Sequence, residues 1–170
     1  MSELEGSKML ENLKEAFAGE SQANRKYLAF AKQADADGYP QVAKLFRAAA
    51  EAETVHAHAH LKAMAGVGAT KDNLLASVGG ETHEFESMYP PMIAEAKKEG
   101  FKQAERSFNF ANQVEQIHAT LYQKALDTLG QKVAAVDYYV CPVCGNTVEG
   151  KPTDPCPICG TPANRFFMVG

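Results

Sequence analysis

The chain has 170 residues, of which 45% are hydrophobic and 22% are charged, a composition typical of a folded globular protein rather than a disordered one. Its net charge of −4 leaves no basic surplus to neutralise phosphates, which argues against nucleic acid as the main partner. No apolar run approaches the roughly 18 residues that a membrane span needs. We therefore expect neither a nucleic-acid partner nor a membrane partner.

The first ten residues predict the compartment in which the chain works. They include Glu3, Glu5 and Lys8 and contain no apolar core, so we expect no signal peptide and a cytoplasmic location. In that reducing compartment, cysteines bind metals or carry out redox chemistry more often than they form disulfides.

A change of composition near residue 131 predicts two domains. Residues 1–130 are rich in Ala, Glu, Lys and Leu, which favours helices. Residues 138–170 hold all four cysteines and are punctuated by Pro and Gly, and short apolar pieces at 138–140 and 165–169 suit strands. Residues 131–137 are the predicted linker between the two domains.

Four helices are predicted in the first domain, over residues 7–36, 41–65, 80–99 and 101–129. The first two helices and the last two are joined by short links, so each pair should form an antiparallel hairpin. Residues 66–79 form a predicted long connection between the pairs, and one long crossover is typical of ferritin-like bundles. Pro90 and Pro91 must kink or interrupt the third helix, because proline removes an amide donor and clashes with the preceding turn.

Glutamate interrupts the apolar stripe near the middle of three of these helices. Glu20 lies on the stripe of the first helix, Glu53 and His56 on that of the second, and Glu115 and His118 on that of the fourth. A lone buried carboxylate is costly and would normally take up a proton. Several carboxylates that converge in one core make sense only if a cation receives them, so the pattern predicts a metal site.

The remaining carboxylate should come from the third helix, where Glu81 and Glu84 stand one turn apart. One Glu from each of two helices, with one Glu-x-x-His from each of the other two, is the pattern of di-iron and di-manganese carboxylate bundles. The alternative is four solvated helices whose spacing arises by chance. We favour the metal site because the glutamates continue apolar seams.

The tail contains two C-x-x-C turns, each followed by Gly and separated from the other by eleven residues. Such turns hold four thiolates in a tetrahedron, and the glycine permits the tight backbone beside the metal. About 30 residues cannot bury a sufficient core alone, so a metal that staples the fold is expected. Disulfides are the alternative, which the expected compartment disfavours. A four-sulfur site suits iron or zinc, and its geometry does not separate them.

With these motifs the sequence resembles the rubrerythrin family, in which an N-terminal ferritin-like di-iron domain precedes a C-terminal rubredoxin-like domain. The most specific matching segments are residues 18–27, 50–56, 80–90 and 114–118, together with the two cysteine turns. The fold that this resemblance implies is an all-α, ferritin-like four-helix bundle followed by a small rubredoxin-like β domain.

The resemblance also implies roles for individual residues. The implied catalytic residues and di-iron ligands are Glu20, Glu53, His56, Glu81, Glu84, Glu115 and His118. Glu53 and Glu115 would bridge the irons, and His56 would replace a carboxylate on one iron when the site is reduced. Tyr27 and Tyr89 would hydrogen-bond ligand carboxylates. The implied ligands of a mononuclear iron, with zinc as the alternative metal, are Cys141, Cys144, Cys156 and Cys159.

The activity implied by the resemblance is a two-electron reduction of hydrogen peroxide at the di-iron centre, which the four-cysteine iron then re-reduces. An external donor, a rubredoxin or an NAD(P)H-linked reductase, would supply the electrons, because no G-x-G-x-x-G follows a predicted strand to bind the nicotinamide here. The alternative is a ferritin-like protein that oxidises and stores or binds iron and has a zinc-stapled tail. We expect a homodimer, with exchange of helical hairpins through the long crossover as one arrangement.

Overall fold

The computed structural model describes residues 4–170, so residues 1–3, including the Glu3 used in the signal-peptide argument, lie outside the described part. Packing divides the chain into two compact units, the first ending at Gly68 and the second spanning Ala69–Gly170. The domain division predicted from composition, with its linker at 131–137, stays a prediction. No helix within residues 4–170 has both the length and the apolar character needed to cross a membrane.

The first unit is a hairpin of two helices, α1 (Lys8–Ala36) and α2 (Pro40–Ala63), which confirms the two predicted helices to within two residues at each end. Ser7 begins α1, because its hydroxyl oxygen accepts a hydrogen bond from the Leu10 amide at 3.1 Å. Gly38 follows the end of α1 with φ +82°, a left-handed conformation that glycine adopts without strain. Pro40 then occupies the first turn of α2, where its missing N–H costs no hydrogen bond.

Small side chains and one buried amide hold this hairpin together. The buried apolar residues of α1 and α2 are Ala31, Ala34, Ala43, Ala50 and Ala57. Their size lets the two backbones approach closely enough for Asn24 Nδ2 to donate to the Ala50 carbonyl at 2.7 Å and to the Thr54 hydroxyl at 2.9 Å. A buried amide satisfied by the facing helix fixes the register of the pair.

The second unit begins with one helical rod of three parts: α3 (Thr70–His83), a π-helical segment (Glu84–Met88) and α4 (Tyr89–Glu99). The predicted start of this helix at residue 80 and the predicted long connection over 66–79 were therefore wrong. Gly79 and Gly80 lie inside α3, and a Cβ at either position would meet no atom within 4 Å. The packing of α3 against the last helix outweighs the roughly 1 kcal/mol that a glycine costs in a helix interior.

The π-helical segment confirms the predicted interruption of this rod by proline. Pro90 and Pro91 have no amide hydrogen to donate to the preceding turn. The Tyr89 amide bonds to the carbonyl of Glu84, five residues back, instead of the carbonyl four residues back. The wider turn inserts one extra residue into the rod and begins at Glu84, one turn after Glu81.

The last helix, α5 (Lys102–Asp127), packs against α3 and α4 and agrees closely with its predicted span. Three short strands follow, β1 (Tyr138–Val140), β2 (Thr147–Glu149) and β3 (Phe167–Val169). They form an antiparallel sheet in the order β2-β1-β3, with Tyr139 opposite Val148 on one side and Met168 on the other. The architecture is thus four helical rods followed by a small β module that carries the cysteines.

Candidate metal centre

The first unit brings together three of the predicted ligands. Glu20 projects from α1, and Glu53 and His56 project from one face of α2, one turn apart. His56 Nδ1 lies 2.9 Å from Glu53 Oε2 and 3.9 Å from Glu20 Oε1. The two glutamate side chains are 17% and 32% exposed, whereas the histidine is 56% exposed. We call these residues the α1–α2 triplet.

The second unit repeats this arrangement with Glu81 from α3 and with Glu115 and His118 from α5. His118 Nδ1 lies 2.8 Å from Glu115 Oε2 and 3.7 Å from Glu81 Oε2. We call these residues the α3–α5 triplet. Both triplets therefore consist of one glutamate from one helix and a Glu-x-x-His pair from the facing helix, as the sequence pattern predicts.

Glu84 is not among the residues of the α3–α5 triplet, although it is half-buried beside it at the start of the π-helical segment. Tyr89 lies near the same carboxylates: burial raises the pKa of its phenol, and the charges of Glu115, Glu84 and Glu81 raise it further. The phenol therefore keeps its proton at neutral pH and can donate a hydrogen bond.

Tyr27, the other predicted partner of the carboxylates, packs its ring against Phe30 and Phe46, with ring centroids 6.3 Å and 6.1 Å away. The hydrogen bonds expected from Tyr27 and Tyr89 to ligand carboxylates stay predictions.

The donor atoms of both triplets suit a cation. In each triplet the two carboxylates and the imidazole offer ligand atoms that all lie within 4.8 Å of one another. Two ligands at right angles, each about 2.1 Å from one ion, would be about 3.0 Å apart. The 2.8 Å and 2.9 Å separations of Nδ1 from the Glu115 and Glu53 oxygens match that spacing.

Electrostatics in the α3–α5 triplet point the same way. Burial raises the pKa of Glu81, and the neighbouring Glu115 carboxylate adds to that rise, while His118 acts in the opposite direction. Two carboxylates at close range in a half-buried position repel each other unless a positive charge is shared between them. A bound cation would supply that charge.

The four cysteines converge on one point in the tail. Their sulfurs all lie within 4.8 Å of one another, and Cys141–Cys159 and Cys144–Cys156 are each 3.5 Å apart. A tetrahedral ion about 2.3 Å from each sulfur would place the sulfurs about 3.8 Å apart, so the cluster fits one metal ion. All four are free thiols, so the disulfide alternative does not describe this fold.

The two cysteine turns are built in the same way. The Cys141 amide donates to the Asn146 carbonyl at 2.9 Å, and the Cys156 amide donates to the Thr161 carbonyl at 2.8 Å. Gly145, immediately after the first turn, has φ +83°, a conformation that strains residues with a Cβ. Two matching loops present two sulfurs each, as a tetrahedral site requires.

The thiols differ in their acidity. Burial raises the pKa of Cys144 well above its usual range. Burial also acts upward on Cys159, but hydrogen bonds from the Thr161 hydroxyl and backbone and from neighbouring thiols outweigh it, so the pKa falls to about 6. A cluster that already favours one thiolate at neutral pH is prepared for a cation, because metals bind the thiolate form.

Sequence reasoning assigned no role at these clusters to three polar residues around them. Asn146 is 1% exposed, and its Nδ2 donates to Cys156 Sγ at 3.7 Å. The Thr161 hydroxyl lies 3.0 Å from Cys159 Sγ. Thr147 contacts His118 of the α3–α5 triplet, with Oγ1 3.0 Å from Nε2. Asn146 and Thr161 each stand two residues after the second cysteine of a turn, a position that could have marked them, whereas no local pattern marks Thr147.

The helical rods with their Glu and Glu-x-x-His clusters, together with the four-cysteine β module, define a ferritin-like helical protein with a rubredoxin-like tail. The rubrerythrin family model matches residues 11–126. The chain belongs to the rubrerythrin family, whose members bind iron.

Relatives match over nearly the whole chain. Rubrerythrin-2 of Clostridium acetobutylicum is 35% identical, with 91% of this chain and 92% of the relative covered. Nigerythrin of Nitratidesulfovibrio vulgaris is 37% identical, with 92% and 84% covered. A solved structure of the partially reduced state of nigerythrin superposes with a TM-score of 0.59 at 35% identity, covering 95% of this chain and 86% of that one. These matches confirm the fold class predicted from the sequence.

Proposed function

We propose that the chain is a hydrogen-peroxide reductase that takes part in defence against oxidative stress. In this proposal the two triplets and Glu84 hold a carboxylate-bridged di-iron centre, and the four cysteines hold a third iron. When bound, two ferrous ions supply the two electrons that, with two protons, convert hydrogen peroxide into two molecules of water. The observation that carries the proposal is the recurrence of one Glu plus one Glu-x-x-His in both units of a chain that also has a four-thiol cluster.

The carboxylates and imidazoles have distinct tasks in this proposal. Glu53 and Glu115, 17% and 16% exposed, are the most shielded carboxylates of the triplets and would bridge the two metals. Glu20 and Glu81 would each bind one metal. His56, more than half exposed, would exchange with Glu84 as a ligand, while His118 would stay bound. Tyr89, which keeps its proton at neutral pH, would donate a hydrogen bond to a ligand carboxylate.

The cysteine module has the task of receiving electrons from outside. A four-thiolate iron carries one electron at a time, so it suits relay and not the two-electron step. The Asn146 amide, which donates to Cys156 Sγ from a buried position, would stabilise charge on that sulfur. We propose an external donor, either a rubredoxin or an NAD(P)H-linked reductase, and a reducing cytoplasm as the compartment. The four free thiols of the cluster suit that compartment.

We also propose that the working form is a homodimer in which helical hairpins are exchanged. Each unit of the chain offers one triplet, and a di-metal centre needs both kinds. The connection between α2 and α3 spans only residues 64–69, and short hinges favour exchange of elements between chains. In the exchanged dimer, the α1–α2 triplet of one copy would complete the α3–α5 triplet of the other.

Co-expression of two inactive variants tests this assembly. Glu53→Ala damages only the α1–α2 triplet, and Glu115→Ala damages only the α3–α5 triplet. If hairpins are exchanged, half of the randomly formed dimers are mixed. Each mixed dimer has two centres, one with both damaged triplets and one with both intact triplets, so roughly a quarter of the wild-type activity should return. Recovery of no activity, with mixed dimers shown by native mass spectrometry, would exclude the exchange.

The activity itself is tested on protein purified natively and without oxygen. Iron in the tail gives a thiolate-to-iron absorption band, which zinc does not give. The fully reduced chain should then consume one equivalent of peroxide per di-iron centre, and turnover should continue while an external donor is present. Zinc in the tail, with accumulation of many irons per chain and no peroxide consumption, would instead indicate the storage alternative.

A further inference from the structure

Within residues 4–170, one side-chain hydrogen bond joins the cysteine module to the α3–α5 triplet. Thr147, the first residue of β2, places its Oγ1 3.0 Å from Nε2 of His118, which stands 29 positions earlier on α5. The two side chains line a cavity of about 340 Å³ whose other lining residues are mostly apolar. A hydrogen bond in such surroundings is electrostatically stronger than one in water.

The hydrogen bonds of Thr147 determine which nitrogen of His118 carries the hydrogen. A threonine hydroxyl has a single hydrogen, and Thr147 Oγ1 donates it to the Gly145 carbonyl at 3.1 Å. The hydroxyl oxygen must therefore accept from His118, so Nε2 of the neutral ring carries the hydrogen. The lone pair of Nδ1 is then available to a cation that also binds Glu115 and Glu81, whose oxygens lie 2.8 Å and 3.7 Å away; without a cation, Nδ1 at this distance from the Glu115 carboxylate also carries a hydrogen.

The backbone that holds Thr147 is that of the first cysteine turn. Gly145 follows Cys144 directly, and its amide donates to the Cys141 carbonyl at 3.0 Å. A Cβ at Gly145 would lie 3.9 Å from Cγ1 of Val114, a buried residue of α5, so the turn is closely packed on the helix that carries His118. The position of the Thr147 hydroxyl thus depends on the folding of the cysteine turn.

We propose that Thr147 is a positioning residue for the α3–α5 triplet: it accepts a hydrogen bond from His118 Nε2 and keeps Nδ1 directed at Glu81 and Glu115. Through Thr147, the fold of the cysteine module controls the readiness of this triplet to bind a cation. This proposal rests on the proposed function only in that the triplet binds a metal, and it does not depend on peroxide as the substrate.

The test compares three variants of the full chain with the tail metal in place. Thr147→Val keeps the shape of the side chain and removes the hydroxyl, and Thr147→Ser keeps the hydroxyl. Thr120→Val is the matched control, because the Thr120 hydroxyl, two residues from His118, donates only to the Gln116 carbonyl of its own helix. The probe is cobalt(II), titrated anaerobically and followed by its absorption bands. The hydrogen on His118 Nε2 is followed in ¹⁵N-imidazole spectra of the zinc(II)-loaded form.

We expect Thr147→Val to weaken cobalt(II) binding at this triplet by about 10-fold or more, and to speed the exchange of the His118 Nε2 hydrogen with solvent in the zinc(II)-loaded form, because that hydrogen has lost its acceptor. Thr147→Ser should bind within about 2-fold of the wild type, a difference too small to reflect a lost partner. The proposal is overturned if Thr147→Val leaves the cobalt(II) affinity and the exchange of the Nε2 hydrogen unchanged, or if Thr147→Ser is as impaired as Thr147→Val. A chain that binds cobalt(II) normally but does not reduce peroxide would contradict the proposed function alone.

Discussion

The two triplets have the same residue types in the same order but differ in how firmly the histidine is held. His56 is 56% exposed and its described contacts are made through Nδ1, whereas His118 is 28% exposed and is hydrogen-bonded at both nitrogens. A ligand that must leave and return has to be free to turn, and a permanent ligand benefits from a fixed orientation. The difference therefore supports different tasks for two residues that the Glu-x-x-His pattern presents as equivalent.

The largest expected effect comes from unfolding the cysteine module, which supplies the contact to His118 that distinguishes the two triplets. Cys144→Ser takes one thiolate from the four-sulfur cluster, and in so small a module the binding energy of the metal, about 10–16 kcal/mol for structural zinc, is folding energy. We expect loss of the tail metal and unfolding of β1–β3, while α1–α5 stay folded. His118 then loses Thr147 and should resemble His56 in its ¹⁵N-imidazole spectrum.

Metal analysis and amide spectra of residues 138–170 measure this loss. Val143→Ser is the control, because Val143 lies in the same turn, is 49% exposed and provides no thiolate. Donor-driven turnover should disappear in Cys144→Ser, while a single reduction of peroxide survives in protein loaded with excess iron, which offsets the weaker binding expected without Thr147. Steady-state turnover that persists without the tail metal would contradict the relay function of the cysteine module.

The second effect separates the histidines directly. His118→Ala should lower the iron content of the chain after both reduction and oxidation. The underlying loss of iron affinity should exceed the roughly 10- to 100-fold that removal of an outer hydrogen-bond partner costs. His56→Ala should lower it only after reduction, because in the proposed exchange Glu84 completes the oxidised site. Iron per chain after desalting under each condition measures both, with exposed His58→Ala as the control on α2. Equal losses from the two variants in both states would remove the distinction between the triplets.

The third effect concerns Glu84, a carboxylate beside the α3–α5 triplet that has no counterpart in the predicted ligand set of the first unit. Glu84→Ala should leave the reduced site intact, since in the proposed exchange His56 still completes it, but should slow the reaction with peroxide several-fold. Glu81→Ala should weaken metal binding in both states. Glu86→Ala is the matched control, because Glu86 is exposed in the same π-helical segment. Equal metal loss from Glu81→Ala and Glu84→Ala in the reduced state would return this helix to a single ligand.

Most of the helices could be predicted because their ends are encoded locally. Ser7 begins α1 and the Gly38–Pro40 turn ends it, so residue type alone places both ends. The start of α3 could not be predicted in this way, since Gly79 and Gly80 suggest a loop. Whether a glycine ends a helix depends on packing elsewhere, and here α3 is held by its contacts with α5.

The candidate site shows the same division between local and distant information. Glu53 and His56, or Cys141 and Cys144, are brought together by one turn of chain, so spacing was sufficient to predict that they meet. The contact between His118 and Thr147 joins residues 29 positions apart and depends on how the cysteine module packs on α5. No periodicity encodes such a contact, so the difference between the two triplets could not be predicted from the sequence.

The smallest expected effect is on stability: when the α3–α5 triplet holds no metal, its neighbouring carboxylates destabilise the folded chain. Burial and Glu115 raise the pKa of Glu81 above its ordinary value of 4.5, against the opposing charge of His118. Between pH 4.5 and its folded-state pKa, Glu81 therefore retains a proton in the folded state that it releases in the unfolded chain, so the contribution of Glu81 to stability is full below pH 4.5 and is lost as the pH rises through the folded-state pKa. Glu81→Gln removes this dependence.

At pH 7, with the triplets free of metal, the unfolding midpoint of Glu81→Gln should exceed that of the wild type by a few degrees at most, since 1 kcal/mol corresponds to about 2–4 °C in a chain of this size. Exposed Glu86→Gln should change nothing. Addition of cobalt(II) should reverse the order, because only the wild type gains the full binding energy. A Glu81→Gln variant that is less stable than the wild type without metal would show that Glu81 supports the fold itself.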